Sequence, residues 1–239
     1  TIKTYVKGQT LSVENPDKPK LQLLIDKGEY FACVEDDVDQ VQTDIALMDT
    51  WSKDASERMK IKIDQRVLTD ILTDVAAANK GGTAGRISAD LNIGVASTPV
   101  AITKANAIDQ IVNMGTVLDE ANCPESDRFI VIPAKMAGHI KLSDLKDASI
   151  TGDGSSPLRN GRLGMIDRFT IYVSHNLYKS GSEFSILAGH KSGFTFASQM
   201  TNMETIRSET TFGNIIRGLQ VYGYKVVKPE ALAVGVITV

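Results

Sequence analysis

A mixed α+β architecture is predicted by three features of the chain. The first is apolar periodicity from Asp37 to Asn79: Val38, Val41, Ile45 and Met48 recur at steps of three and four. Ala55, Met59, Ile63, Val67, Ile71 and Val75 then continue as an unbroken row of i+4 steps. The second is alternation near the N-terminus, where Ile2, Thr4 and Val6 oppose Lys3 and Lys7, and Leu21, Leu23 and Ile25 repeat the pattern. The third is the short apolar run Phe129-Ile130-Val131-Ile132 between two helical patterns, the mark of a strand buried on both faces.

Taken in order, Ile2 to Val13 and Leu21 to Val34 predict two long strands joined by the turn-forming cluster Glu14-Asn15-Pro16-Asp17-Lys18-Pro19. A lone hairpin is marginal in water, so this arm needs a surface, either its own domain or a neighbour. Glu35-Asp36-Asp37 then supplies carboxylates for the free N–H groups and positive dipole end of a helix. Asn79-Lys80-Gly81-Gly82 ends that helix with a cation and glycines that tolerate positive φ. Lys53, Glu57, Lys60, Lys62 and Arg66 fall off the apolar row and face water. Unbroken, about forty residues would span roughly 60 Å. The poor helical quartet Asp49-Thr50-Trp51-Ser52 marks a place for a kink.

Gly81 to Pro99 reads as a connector. Thr103 reads as the cap of a second amphipathic helix with Ile108, Ile111, Val112, Gly115 and Leu118 on one face. After the 129–132 strand, Pro133 suits the first turn of a helix running to about Lys146. Ser149 to Gly164 is a loop rich in Gly, Ser and Asp. Strands are expected at Phe169–Val173, Phe184–Ala188 and Gly193–Ala197, then at Ile215-Ile216, Leu219–Val227 and Ala231–Val239. Gly218 and Gly223 inside this last group predict bends or close backbone contacts.

The bulk properties exclude several classes. At 239 residues, with 42% hydrophobic and 23% charged positions, the chain can bury a real core and is not disordered. A net charge of −3 gives no bulk attraction to nucleic acid. Cys33 and Cys123 are far apart without CxxC spacing, which predicts free thiols in a reducing compartment. No run approaches the roughly eighteen apolar residues of a membrane span, since Ile93 to Ile102 is short and holds Pro99. No signal peptide is visible, and the chain opens on Thr1 within an apparent strand. Preceding sequence is therefore expected to have been cleaved, trimmed or omitted.

No pattern of catalytic or ligand-binding residues emerges, so no catalytic, cofactor or metal site is assigned. His139, His175 and His190 fall in different elements without metal-ligand spacing. Glu35-Asp36-Asp37-x-Asp39 lacks the glycine and distal Glu of a calcium loop, and helix-start capping explains it better. Gly81-Gly82-Thr83-Ala84-Gly85-Arg86 and Gly152-Asp153-Gly154-Ser155-Ser156 lack phosphate-loop spacing and read as mobile loops. No Ser lies in GxSxG, and Lys and Arg are spread without interleaved aromatics. A sequence of this size without a convergent polar site is spent on geometry that neighbouring copies complete.

Several stretches carry a resemblance. Leu24-Ile25-Asp26-Lys27-Gly28-Glu29-Tyr30-Phe31-Ala32-Cys33-Val34-Glu35-Asp36-Asp37 leads directly into the long helix, which contains Ile63-Asp64-Gln65-Arg66-Val67-Leu68. Arg128 to Pro133 and Gly164 to Leu177 follow. Gly193-Phe194-Thr195-Phe196-Ala197-Ser198-Gln199 and Ile216 to Glu230 complete the series. In their order and spacing these resemble the major capsid proteins of tailed bacteriophages, the Hong Kong 97-type coat fold. The resemblance covers most of the chain from about Leu21 onward.

That resemblance implies an extended loop at residues 1–34 reaching over a neighbouring subunit. It implies a peripheral domain with the spine helix at 35–103 and 205–239, and an axial α/β domain at 104–204 with Ser149 to Gly164 near the symmetry axis. It further implies a non-enzymatic major capsid protein without cofactors. Such a protein assembles in the host cytoplasm as pentamers and hexamers of an icosahedral or prolate shell around packaged double-stranded DNA. Scaffolding, portal and decoration proteins are the implied partners, with no membrane. Some members of the family join subunits by a Lys–Asn isopeptide bond; Lys3, Lys7, Lys18 and Lys20 are present in the arm, but no partner Asn is marked. An encapsulin-like compartment shell is the alternative that shares the fold, and a soluble enzyme with an unseen site is the third.

Overall fold

The computed structural model describes residues 2–10, 13, 20–37, 47–143 and 164–239. Two sheets organise them. The first is an antiparallel three-stranded sheet in the order β1 (Lys27–Asp36), β9 (Gly213–Val226), β8 (Phe194–Arg207). The second is a seven-stranded mixed sheet in the order β2 (Val100–Ala101), β10 (Leu232–Thr238), β7 (Glu183–His190), β3 (Arg128–Ile132), β5 (Phe169–Val173), β4 (Met165–Ile166), with β6 (Lys179–Ser180) paired to β7. Three α-helices accompany them among the described residues: α1 (Leu47–Asp70), α2 (Ala107–Glu120) and α3 (Ala134–Lys141).

The seven-stranded sheet holds the main core. As its sequence predicts, β3 is central, parallel to β5 and antiparallel to β7. Ile130, Ile132, Phe169, Ile186 and Ala188 form one apolar layer with Ile111, Met114 and Leu118 of α2 and Met136 and Ile140 of α3. The α2 face differs from expectation at Val112, which is exposed, while Met114 is fully buried. Its first residue is Ala107, with Asn106 and not Thr103 at the capping position. Thr103 instead joins the Asn106 side chain through its backbone N–H at 2.7 Å, closing the turn before the helix. Pro133 precedes the first turn of α3, and the helix ends at Lys141 with Leu142 at its cap, short of the Lys146 expected from sequence.

The long helix is shorter than its apolar row. Its described part runs from Leu47 to Asp70, roughly 36 Å at the usual rise; residues 38–46 lie outside the described set. The weak quartet at Asp49 to Ser52 does not break it: Ser52 is buried, and Lys53 pairs with Asp49 at 2.9 Å. Past Asp70 the chain changes to a 3-10 turn at Ile71–Thr73 and another at Ala77–Asn79. Tertiary packing overrides propensity here. Ile71 and Val75 join Leu187, Val226, Leu232 and Val234 in a second apolar cluster under the other face of the seven-stranded sheet. Asn79, read from sequence as the helix stop, is buried, and its amide donates to the carbonyls of Glu230 at 2.7 Å and Leu232 at 2.9 Å. It pins the start of β10.

The arm also differs from expectation. Residues 2–10 form no ladder and turn at Val6–Gln9, where Gln9 N donates to Val6 O at 3.0 Å and Gly8 takes φ +87°. The ladder begins only at Lys27, and its partner is β9, not the first half of the arm. The reason is burial: β9 offers ten paired positions, with Phe31 seated over Gly218, whereas an isolated hairpin buries almost nothing. The turn cluster at residues 14–19 lies outside the described residues. Hydrogen bonding also crosses residue 204/205, because β8 runs through it and β10 lies within the sheet of the central unit.

Candidate assembly surface

Alternation divides the three-stranded sheet into two unlike faces. Inward lie Glu29, Phe31, Ile216, Tyr222 and Tyr224, against α1. Tyr222 is fully buried and donates to Glu29 at 3.4 Å, and Arg66 of α1 reaches the same carboxylate at 3.2 Å. Tyr224 donates to Asp70, and burial together with that carboxylate pushes its hydroxyl above the usual tyrosine range. Phe196, Tyr222 and Tyr224 stack at 5.9 and 6.2 Å between ring centres. The predicted apolar row of α1 is partly buried against this face, with Ile63 only 5% exposed.

Outward the same strands show Tyr30, 79% exposed, beside its cross-strand partner Leu219, with Val34 further along and an Arg217–Glu204 ion pair between. No described residue covers this middle stretch. Ile2, Tyr5, Val6, Val13, Leu21 and Leu24 of the arm are exposed as well. Other exposed apolar side chains, such as Ile87 and Phe212, lie elsewhere on the surface, but the arm and this sheet face each present several together, the arrangement that suits a partner.

The residues searched for chemistry scatter. His139 is on α3 and His175 follows β5. His190 ends β7, with Nδ1 accepting from Ser192 N at 3.1 Å. Cys33 is on β1 and Cys123 in the main core, both as free thiols, and burial pushes the Cys123 thiol up. Among the described residues no group of His, Cys, Asp and Glu is placed to hold a metal ion. Glu35 and Asp36 end β1 opposite Asn214 and Gly213, and the next residue, Asp37, is already helical, where the acidic run predicts a helix start. Asp37 is held by Arg207, whose hydrogen bonds lower its pKa, and Asp39 lies outside the described residues.

The 81–86 loop is not the free loop expected. Ala84 is fully buried, and the N–H groups of Ile87 and Ser88 close on the Glu120 carboxylate at 2.8 and 3.0 Å, holding that acid below its usual range. The 152–156 loop lies outside the described residues. Sequence reading missed one charged cluster. Arg128, 1% exposed, donates to the carbonyls of Cys123 and Pro124 and to Asp119, which also binds Arg168 of the β4–β5 turn. Burial raises the Asp119 pKa, but these two guanidinium groups outweigh it and leave the carboxyl low. The cluster staples α2 to the sheet. With Asp127 and Glu125 beside it, Arg128 reads in the sequence like any surface cation, and no local signal marks its burial.

A helix locked under one face of a sheet whose other face stays open, together with an exposed apolar arm, leaves apolar surface that other chains can cover. The sequence matches the family model described as phage capsid protein over residues 23–235, and the chain belongs to that family. A solved chain from Mycobacterium phage Che8 is similar at 26% identity and a TM-score of 0.70, over 89% of this chain and 71% of that one. The capsid structure of cyanophage P-SCSP1u (16% identity, TM-score 0.66) covers 98% of this chain and 79% of its own. The mature capsid of bacteriophage PhiM1 (15%, TM-score 0.64) covers 98% and 78%. Among curated proteins, none matches. The fold is thus the Hong Kong 97-type capsid fold, and the protein is a structural, non-enzymatic capsid subunit that self-assembles into the shell of a virion.

Proposed function

We propose that this subunit builds the head shell of a tailed phage from pentamers and hexamers, assembled in the host cytoplasm around space later filled by double-stranded DNA. The observation that carries the finer reading is the pairing of an exposed apolar arm with an uncovered sheet face in a chain of this family. Residues 1–34 serve as the extended loop across a neighbouring subunit, where burial resolves the arm's marginal stability. Residues 35–103 and 205–239 form the peripheral domain and 104–204 the axial domain, with β10 tying the two together. Many weak contacts per subunit suffice, because closure multiplies them. The slightly acidic net charge of −3 lets DNA press on the inner wall without adhering. Scaffolding, portal and decoration proteins are the partners that such a head engages.

Electron microscopy of purified particles tests this. Shells with five- and six-fold capsomers around nuclease-resistant DNA are expected. Shells enclosing an enzyme would mark an encapsulin-like compartment, and a monodisperse species of enzyme size, with virion partners present, would overturn the reading.

A further inference from the structure

We propose that Gly223 and Lys225 of β9 form a saddle that fixes the direction in which the arm leaves the subunit. The proposal rests on the reading of residues 1–34 as an inter-subunit loop. Gly223 pairs with Ala197 of β8 and lies one residue beyond the last β1 partner, Tyr222. By alternation it faces outward with Leu219 and Arg217. A Cβ there would stand 2.1 Å from the Leu24 carbonyl oxygen and 3.0 Å from the Ile25 Cα. The backbone of Leu24 and Ile25 therefore rests directly on β9, a contact that only glycine permits.

Lys225, also outward, donates from Nζ to the Gln22 carbonyl at 2.9 Å and holds the next turn of the departing chain. The floor beneath is rigid: Tyr222 and Tyr224 stack on the inner face, and the ammonium of Lys27 sits 4.5 Å from the centre of the Tyr224 ring. A β-bulge at Ser198/Met200 lies beside the saddle and adds local twist. Residues 20–26 make no ladder of their own, so these contacts decide where the arm points. An arm aimed wrongly misses its neighbour while the subunit stays folded. Gly223 and Lys225 are positioning residues for assembly.

The full chain, expressed with the other proteins of its virion, provides the test through particle yield on gradients and particle shape by microscopy. The isolated chain's melting temperature is measured in parallel. Gly223→Ala and Lys225→Met should each lower the yield of wild-type particles by about tenfold, since a small loss per contact is multiplied over the shell. Their melting temperatures should stay close to wild type, and Lys225→Arg should restore assembly. Wild-type yield from both variants would overturn the saddle, as would melting temperatures that fall in step with yield. Deletion of residues 2–20 separates the two ideas. If the deletion abolishes assembly while both point variants assemble normally, only the saddle is lost. If the deletion assembles normally, the inter-subunit arm is lost and the saddle with it.

Discussion

The two sheets solve the same problem in opposite ways. The seven-stranded sheet is covered on one face by α2 and α3 and on the other by the end of α1 and the root of the β8–β9 pair, so its interior is complete within one chain. The three-stranded sheet is finished on one face only. Its inner side is sealed by α1 through Ile63, Tyr222 and the Glu29–Arg66 pair, and its outer side carries Tyr30, Val34 and Leu219 in the open. Stability resides in the first sheet and in the sealed face of the second, while the open face leaves apolar side chains uncovered by any described residue. One chain can therefore be folded and unfinished at once.

Substitutions can break or sharpen that contrast. Ile63→Asp should have the largest effect, because it places an unpaired charge under α1 where 5% of the residue is exposed. A loss of about 4 kcal/mol or more is expected, read as absent soluble protein or a collapsed melting transition. Wild-type yields of assembling protein would put the wrong face of the helix inside. Arg128→Met comes next. It leaves the carbonyls of Cys123 and Pro124 without their donor and frees Asp119 from one guanidinium, for about 3 kcal/mol by denaturant unfolding.

On the open face the sign of the contrast reverses. Tyr30→Ser with Leu219→Ser removes one exposed cross-strand pair, so the isolated chain should lose no more than about 1 kcal/mol. Particle yield should nevertheless fall, and normal assembly from the double variant would mean that the face is not used. Asp167→Asn should have the smallest effect. Burial raises the folded pKa of Asp167, and the nearby Asp119 charge adds to it, so the native state holds that proton more tightly than the unfolded chain. Wild-type stability carried by this group declines as pH rises from the ordinary Asp value, about 3.9, through the raised folded one. The variant should gain less than about 0.5 kcal/mol at pH 7, a gain that vanishes in denaturation curves at low pH.

Much of the architecture was legible in local pattern. β3, β5 and β10 fall within one residue or two of their expected bounds: β3 and β10 are buried apolar runs, and β5, with Tyr172 and Val173 exposed, is marked by its β-branched and aromatic residues. Gly218 and Gly223 were marked as places of close contact, and both are, one under Phe31 and the other under Leu24. The order and spacing of the family-like stretches pointed to a shell subunit, and the family model matches over residues 23–235. Other features left no local mark. Arg128 reads like any surface cation, and its burial follows from carbonyls and a carboxylate supplied by α2 and the turn after it.

The sequence by itself determined which residues are apolar, at what period they recur and which positions lack a side chain. That was enough for the α+β class, the α1 face at Ile63 and the buried strands. Only the tertiary structure decided that the helix ends at Asp70, that Asn79 pins β10 instead of capping a helix, and that β1 pairs with β9 and not with the arm. The physical reason is that periodicity reports a residue's preference for burial but not its partner. Partners are chosen among segments distant in sequence by which pairing removes the most apolar surface while satisfying every buried hydrogen-bonding group.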